Sequence, residues 1–407
     1  MAKRILLMTQ WFDPEPTFKG LVFAKALAKQ GFEVEVVTGF PNYPGGKLYP
    51  GYRLRWRHKE IIDGIAVTRL FLYPSHDRSV LRRACNYLSF FTSLVLYGVF
   101  SARQADVIYA YHPPLTTGLA AALIKLVRRT PLIIDIQDLW PDTLRATGMI
   151  SNARALGLIG AFCDWMYRRC DHIVVLSPGF KKAITARAIA DGKIEVIYNW
   201  ADEAALLKPA GDVPTGFAKD KFKVLFAGNM GAAQALDSVI EAAALIRDTA
   251  HHVQFLFIGG GMDVERLKAV AHDRQLSNVG FLPPVPMSEI GSRLAAADAL
   301  LVHLKRDPLF EITIPSKTQA YMAAGRPIIM GVTGDAADLV VKADCGVLVE
   351  PENAQAIAEA VVALSHTPLD RLAVMAANGR RFYFDQISCE AATAKFARLF
   401  DTLSTRT

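Results

Sequence analysis

Residues 223–261 read KVLFAGNMGAAQALDSVIEAAALIRDTAHHVQFLFIGGG. Two short apolar runs, Lys223–Ala227 and Val253–Ile258, bracket a helical stretch, Leu236–Arg247. Each run stops at glycine, first Gly228-Asn229-Met230-Gly231 and then Gly259-Gly260-Gly261. A strand, a helix and a strand of these lengths make a parallel pair joined by a right-handed crossover.

The same alternation runs outward in both directions. Upstream, strands are expected near Ile5–Thr9, Val34–Thr38, Ile65–Leu70, Val107–Tyr111, Leu132–Ile136, His172–Leu176 and Ile194–Tyr198. Downstream they are expected near Val279–Phe281, Ala299–His303, Pro327–Met330 and Gly346–Val349. Helical segments such as Leu21–Gln30 and Leu115–Val127 lie between them. The fold class is therefore α/β, with two doubly wound, Rossmann-like domains. A chain of 407 residues with 52% apolar residues can fill two such cores. The break falls near Asn199–Pro214, where Pro209, Gly211, Asp212 and Pro214 interrupt the pattern. The expected domains are residues 1–205 and 206–388, followed by a C-terminal helix in 389–407.

Charge divides the halves. Residues 1–200 carry 26 Lys/Arg against 15 Asp/Glu, and the remainder carries 20 against 24. A basic first half is drawn to an anionic surface. Its basic residues do not interleave with aromatics as in nucleic-acid motifs, so a membrane surface is expected and nucleic acid is not. Ala84–Ala102 has no charged residue over 19 positions. However, Asn86, Ser89, Ser93, Tyr97 and Ser101 recur at helical spacing. This favours a domain helix with an apolar outer face over a span. Arg78, Arg82 and Arg83 precede it, and both an interfacial role and ordinary core burial remain open. Five scattered cysteines suggest neither a disulfide framework nor a zinc site. The start of the chain lacks signal-peptide character, which fits a cytoplasmic setting.

Ligands of doubly wound sheets bind beyond the carboxyl ends of the strands, so the residues placed there are the candidates. Gly20 opens a helix where bare backbone can approach a diphosphate. Taken alone, that glycine is better explained by a simple tight turn. Gly259 and Gly260 offer backbone to a base or ribose, or just a turn. His112 ends an apolar strand and can hydrogen-bond a sugar hydroxyl or a diphosphate. Asp138 is the carboxylate open to a cleft. Asp135 sits inside the strand and is expected to hold loop backbone, not a metal ion. In Phe310–Pro327, Pro315 starts a helix and Gly325 ends it. Ser316 and Lys317 at that N-terminus would converge on a phosphate, with Glu311 nearby.

Taken together, Asp138-Leu139-Trp140-Pro141-Asp142, Gly228-Asn229-Met230-Gly231 with Gln234, and Ile314-Pro315-Ser316-Lys317 through Pro327 resemble the retaining GT-B glycosyltransferases of family 4. The nearer likeness is to the bacterial O-antigen, capsule and exopolysaccharide subgroup, including N-acetylfucosamine transferases. The resemblance covers nearly the whole chain. It implies two Rossmann-like domains facing across a cleft, with the nucleotide mainly on the second and the acceptor on the first. It also implies that the C-terminal helix crosses back onto the first domain. Gly20 would face the donor diphosphate and His112 the donor sugar. Asn229 and Gln234 stand where many members carry a clamping Arg and Lys. Of the two glutamates eight residues apart in many members, one aligns with Ala320 and the other with Ile312, next to Glu311. Lys317 is then expected to supply the missing positive charge, and Glu311 a sugar or ribose contact.

The function so implied is glycosyl transfer, with retention and without a metal or other cofactor. The donor would be a nucleotide sugar, a UDP-linked N-acetylated deoxyhexose or hexosamine. The acceptor would be a polyprenyl-diphosphate-linked glycan at the inner face of the cell membrane, in surface polysaccharide or lipopolysaccharide biosynthesis. Two rivals share the architecture: a nucleotide-sugar 2-epimerase and a non-catalytic nucleotide-sugar-binding scaffold.

Overall fold

A computed structural model describes residues 2–76, 79–146, 149–207, 216–218 and 220–405. Pro209, Gly211, Asp212 and Pro214 of the expected boundary, and Arg78, lie outside the described residues. The chain divides into two compact units, Met1–Ile197 with Ala392–Thr407, and Tyr198–Ala391.

In chain order the first unit holds β1 (Arg4–Met8), α1 (Leu21–Lys29), β2 (Glu33–Gly39), β3 (Arg57–Ile62), β4 (Ile65–Leu70), α2 (Val80–Phe100), β5 (Val107–His112), α3 (Leu115–Arg128), β6 (Leu132–Ile136), α4 (Asp142–Ala146), α5 (Ala153–Arg169), β7 (His172–Val175), α6 (Pro178–Thr185) and β8 (Ile194–Val196). The sheet order is β3-β4-β2-β1-β5-β6-β7-β8. β1, β5 and β6 are buried along their whole length. Strands covered by helices on both faces read as continuous apolar runs, which is why they stand out in the sequence.

One strand departs from the all-parallel expectation. β3 pairs antiparallel with β4, through a tight turn in which Asp63 and Gly64 have φ of 45° and 85°. Two successive positive φ values are the mark of an Asp-Gly hairpin turn. β3 alternates exposed and half-buried residues at the sheet edge. Arg57 and Lys59 there discourage further strand pairing.

α2 turns its polar stripe inward. Asn86 donates to the Tyr73 carbonyl at 2.7 Å, the Tyr73 N–H donates to Ser89 Oγ at 2.8 Å, and the Tyr97 hydroxyl reaches Glu35 at 2.9 Å. Its outer face leaves Leu81 and Phe100 74% and 78% exposed, with Leu88 and Leu96 between them. Among the described residues no helix is long and apolar enough to cross a membrane.

The second unit holds α7 (Glu203–Leu206), β9 (Phe222–Ala227), α8 (Asp237–Ile246), β10 (Val253–Ile258), α9 (Val264–Asp273), β11 (Val279–Leu282), α10 (Met287–Ala295), β12 (Ala299–His303), α11 (Pro308–Glu311), α12 (Ser316–Ala324), β13 (Ile328–Gly331), α13 (Asp335–Ala343), β14 (Gly346–Leu348), α14 (Ala354–Ser365) and α15 (Leu369–Gln386). Its six strands, all parallel, run β11-β10-β9-β12-β13-β14. Val239, Ile240, Ala243 and Ile246 of α8 pack with Phe226, Phe255 and Phe257 in the core.

The last helix, α16 (Cys389–Ser404), belongs to the first unit from Ala392 onward. Phe396 meets Phe23 and Tyr109 edge-on at 5.0 and 5.6 Å between ring centroids. Phe400 meets Phe32 at 5.8 Å, and Lys3 bridges to Asp401 at 2.7 Å.

Candidate functional site

In the second unit, the turn after β9 and the turn after β10 pack backbone on backbone. The Gly228 N–H donates to the Ile258 carbonyl at 2.8 Å, and the Met230 N–H to the Gly260 carbonyl at 2.7 Å. Gly259 has φ +139°, and a Cβ there would lie 2.0 Å from the Gly228 oxygen. Glycine is therefore obligatory at this contact. The glycines lock the two loops together, a role the sequence reading allowed as a plain turn.

Lys317 lies in the first turn of α12. Its Nζ sits 4.5 Å from the centre of the Phe226 ring. A side chain on Gly228, where φ is +138°, would meet Lys317 Cε at 2.6 Å, so the lysine lies directly over that turn. It has no ion-pair or hydrogen-bond partner among the described residues. Burial pushes its pKa down to about 8. A desolvated, unpaired ammonium beside open helix N–H groups has room for an anion.

The other candidates of this unit arrange as follows. Ser316 is exposed at the first position of α12, and its side chain does not cap the helix. Asn229 is exposed and donates to Gln234 Oε1 at 3.4 Å, while the Gly231 N–H donates to the same oxygen at 3.0 Å. Gln234 thus braces the loop. Glu311 is exposed and makes no ion pair with Lys317. It ends α11, and residues 312–315 separate it from α12.

Two features of this edge were missed from sequence. His303 is buried, accepts the Glu352 N–H at 3.0 Å through Nε2, and lies 2.7 Å from the Gln234 carbonyl through Nδ1. Burial lowers its pKa, so it is a neutral strut between loops. Second, Met230, Gly259, Gly260, Gly261, Phe281, Leu282, Pro283 and Pro284 line a cavity of about 360 Å³. Glu265 and Lys268, paired with each other at 2.8 Å, also line it; apolar walls beside exposed backbone polar groups suit a flat heterocycle. A second depression, about 490 Å³, lies at α6 between Pro178 and Asp191. It is broad and open, and its Lys181 is paired with Asp191 at 3.0 Å.

In the first unit, β5 and β6 run side by side and bring His112 and Asp138 to one edge. His112 has no exposed surface, and neither ring nitrogen has a hydrogen-bond partner among the described residues. Its ring meets Trp140 edge-on at 5.9 Å. Burial pushes its pKa down to about 4, so the imidazole is neutral near pH 7. Asp138 is half-buried, and desolvation raises its pKa.

Asp135 differs from its expected role. Its partners are side chains, not loop backbone: Lys19, the Tyr109 hydroxyl and the Gln137 amide. Lys19 and Asp135 form a fully buried ion pair, which fixes the loop ahead of α1 to the sheet. Gly20 precedes α1, as read. The helix N-terminus there is held by Asp13, whose Oδ2 accepts the Leu21 N–H at 2.7 Å. A Cβ on Gly20 would lie 2.2 Å from that oxygen.

Comparison with known proteins agrees with this architecture. The description "Glycosyl transferase 4-like domain" matches residues 21–200, and "Glycosyl transferases group 1" matches residues 210–382. WcaI of Escherichia coli (strain K12), named for colanic acid biosynthesis as a glycosyl transferase, is 26% identical over 310 residues, 74% of this chain and 75% of that protein. Sucrose-phosphate synthase from Thermosynechococcus elongatus superposes with TM-score 0.73 at 17% identity, covering 100% of both chains. Anabaena HepE in complex with UDP superposes with TM-score 0.67 at 14% identity, covering 98% of this chain and 100% of that one. With glycosyl transferase domains matched in both of its doubly wound units, the chain is a GT-B glycosyltransferase, a 4-like domain followed by a group 1 domain.

Proposed function

We propose that the protein moves a sugar from a UDP-linked donor to a polyprenyl-diphosphate-linked glycan in the synthesis of a bacterial surface polysaccharide. The observation that carries this reading is Lys317, an unpaired, desolvated ammonium over the Gly228 turn. A leaving nucleoside diphosphate gains negative charge as the sugar–oxygen bond breaks. A fixed cation and helix N–H groups stabilise that charge without reorganising. The cavity between Gly259–Gly261 and Phe281–Pro284 is the place for the base.

The UDP preference draws support from the fold shared with HepE, whose structure holds UDP. The polysaccharide role draws support from the likeness to WcaI. We read the donor sugar as an N-acetylated deoxyhexose or hexosamine, and the transfer as retaining and independent of metal. The departing phosphate would then take the acceptor proton on the same face. In this reading His112 is a neutral hydrogen-bonding contact to the donor sugar, not a general acid. Asp138, Gly20, Ser316 and Glu311 offer further donor contacts. Asn229 and Gln234 act by shaping the loop that holds them. The basic first half and the exposed leucines of α2 would hold the protein at the inner face of an anionic membrane.

The test is a panel of UDP-, GDP- and dTDP-sugars, with and without a short prenyl-diphosphate-linked sugar, followed by mass spectrometry. The expected result is release of UDP that depends on acceptor, with a matching mass gain. Free epimer without acceptor would replace the transferase by an epimerase. Binding without turnover across the panel would make it a scaffold.

A further inference from the structure

The first unit carries a polar and aromatic cluster that the donor site does not use. It joins the loop after β1, the loop after β2, the loop after β4 and the start of α2. Trp11 and Tyr43 lie 4.8 Å apart between ring centroids at 33°. His76 meets Tyr43 edge-on at 4.7 Å. All three rings are half-buried, so each keeps an open part.

The support beneath is rigid. Gln10 donates to Asn86 Oδ1 at 2.6 Å, and Asn86 reaches Asn42 at 3.4 Å. The buried Glu15 carboxylate takes the N–H groups of Phe12, Asn42 and Tyr43 at 3.2, 2.7 and 2.7 Å. Yet two buried polar atoms in this frame have no partner among the described residues: Gln10 Oε1, on a residue with no exposed surface, and Ser75 Oγ, on a residue 5% exposed. Arg83 hydrogen-bonds Tyr87, but its Nε is buried without a partner among the described residues. It forms no ion pair with any described residue. Unmet donors and acceptors of this kind are costly unless a ligand or water completes them.

We propose that this cluster is the acceptor site, and that its ligand is a glycosyl diphosphate: the sugar ring lies on Trp11 and Tyr43, and the diphosphate on Arg83. The inference rests on the transferase reading above. An indole face suits the apolar side of a pyranose, and Gln10 and Ser75 can meet its hydroxyls. A guanidinium fork matches phosphate oxygens. Arg83 shares the inward face of α2 with Asn86 and Tyr87, while Leu81 and Leu88 lie exposed on its outer face.

The test uses the full chain and geranyl-diphosphate-linked N-acetylglucosamine as probe, followed by calorimetry. Arg83→Ala and Trp11→Ala should each weaken binding of the probe by tenfold or more. Arg83→Lys and Trp11→Phe, which keep the charge and the ring, should recover most of it. The Kd for UDP should stay within twofold in all four variants. Inorganic pyrophosphate and geranyl diphosphate serve as controls, and binding as tight as the probe's would remove the sugar from the proposal. Probe affinity unchanged in Arg83→Ala and Trp11→Ala would overturn the site while leaving the transferase reading intact. A wild-type protein that binds UDP but not the probe would overturn the ligand class. A wild-type protein that binds no nucleotide would instead strike the transferase reading itself.

Discussion

The loop edge of the second unit is built from backbone, whereas that of the first unit is built from side chains. After β9 and β10, glycines let two turns press together, with carbonyls and N–H groups making the contacts. After β1, β2 and β4, the loops are joined by Gln10, Asn42, Asn86, Glu15 and the Trp11–Tyr43 pair. Backbone grips a ligand part common to many donors and tolerates little substitution. Side chains can be exchanged one at a time, so an edge made from them suits recognition of a particular acceptor.

The contrast breaks first at the glycines. Gly259→Ala places a Cβ 2.0 Å from the Gly228 oxygen at a positive φ. It should cost about 2–4 kcal/mol of stability, read by thermal unfolding, and abolish UDP binding. Trp11→Ala, on a half-buried ring, should cost roughly 1 kcal/mol or less. Equal losses from the two would erase the distinction.

Lys317→Met comes next. It should lower kcat by about 100-fold, the scale for one preorganised charge at a transition state, while the fold is kept or gains about 1 kcal/mol. The gain has a definite pH signature. Burial sets Lys317 near 8, below its ordinary 10.5. Between those values the unfolded chain binds the extra proton, so wild-type stability should rise with pH from about 8 to 10.5. In Lys317→Met that rise should vanish.

His112→Asn gives a smaller effect, about tenfold in kcat/KM for one hydrogen bond to the donor sugar. Its pKa is depressed, from 6.5 to about 4. The unfolded chain again binds more protons in that window. Wild-type stability should therefore fall as pH drops from 6.5 towards 4, and His112→Asn should be less sensitive. The pH profile of kcat should show no titration of this group near 7. The smallest effect concerns the surface. Leu81→Ser with Leu88→Ser should reduce cosedimentation with anionic vesicles severalfold, with kcat on a soluble acceptor retained.

Much of this was legible in the sequence, and the reasons differ by residue. The strands after which the ligand edges open are buried on both faces, so their apolar runs mark them clearly. β3 was hidden because only one of its faces is covered, leaving a weak charged alternation. The Asp63-Gly64 turn was the available signal. The place of Lys317 at a helix N-terminus was legible because Pro315 and Gly325 fix the ends of that helix. Glu311 looked near it by count alone, but a break between α11 and α12 intervenes. Asp135 was misread because its main partner, Lys19, lies 116 residues away in the chain. The Trp11–Tyr43 pair was invisible for the same reason, since it needs two loops that only the fold joins.

The most direct measurement is the affinity for UDP as a function of pH, by calorimetry, in wild type and in Lys317→Met. If Lys317 is the cation that receives the diphosphate, wild-type affinity should hold below pH 8 and fall steadily above it. Lys317→Met should bind at least tenfold more weakly, with no such decline. Equal affinities and parallel pH profiles would contradict the account.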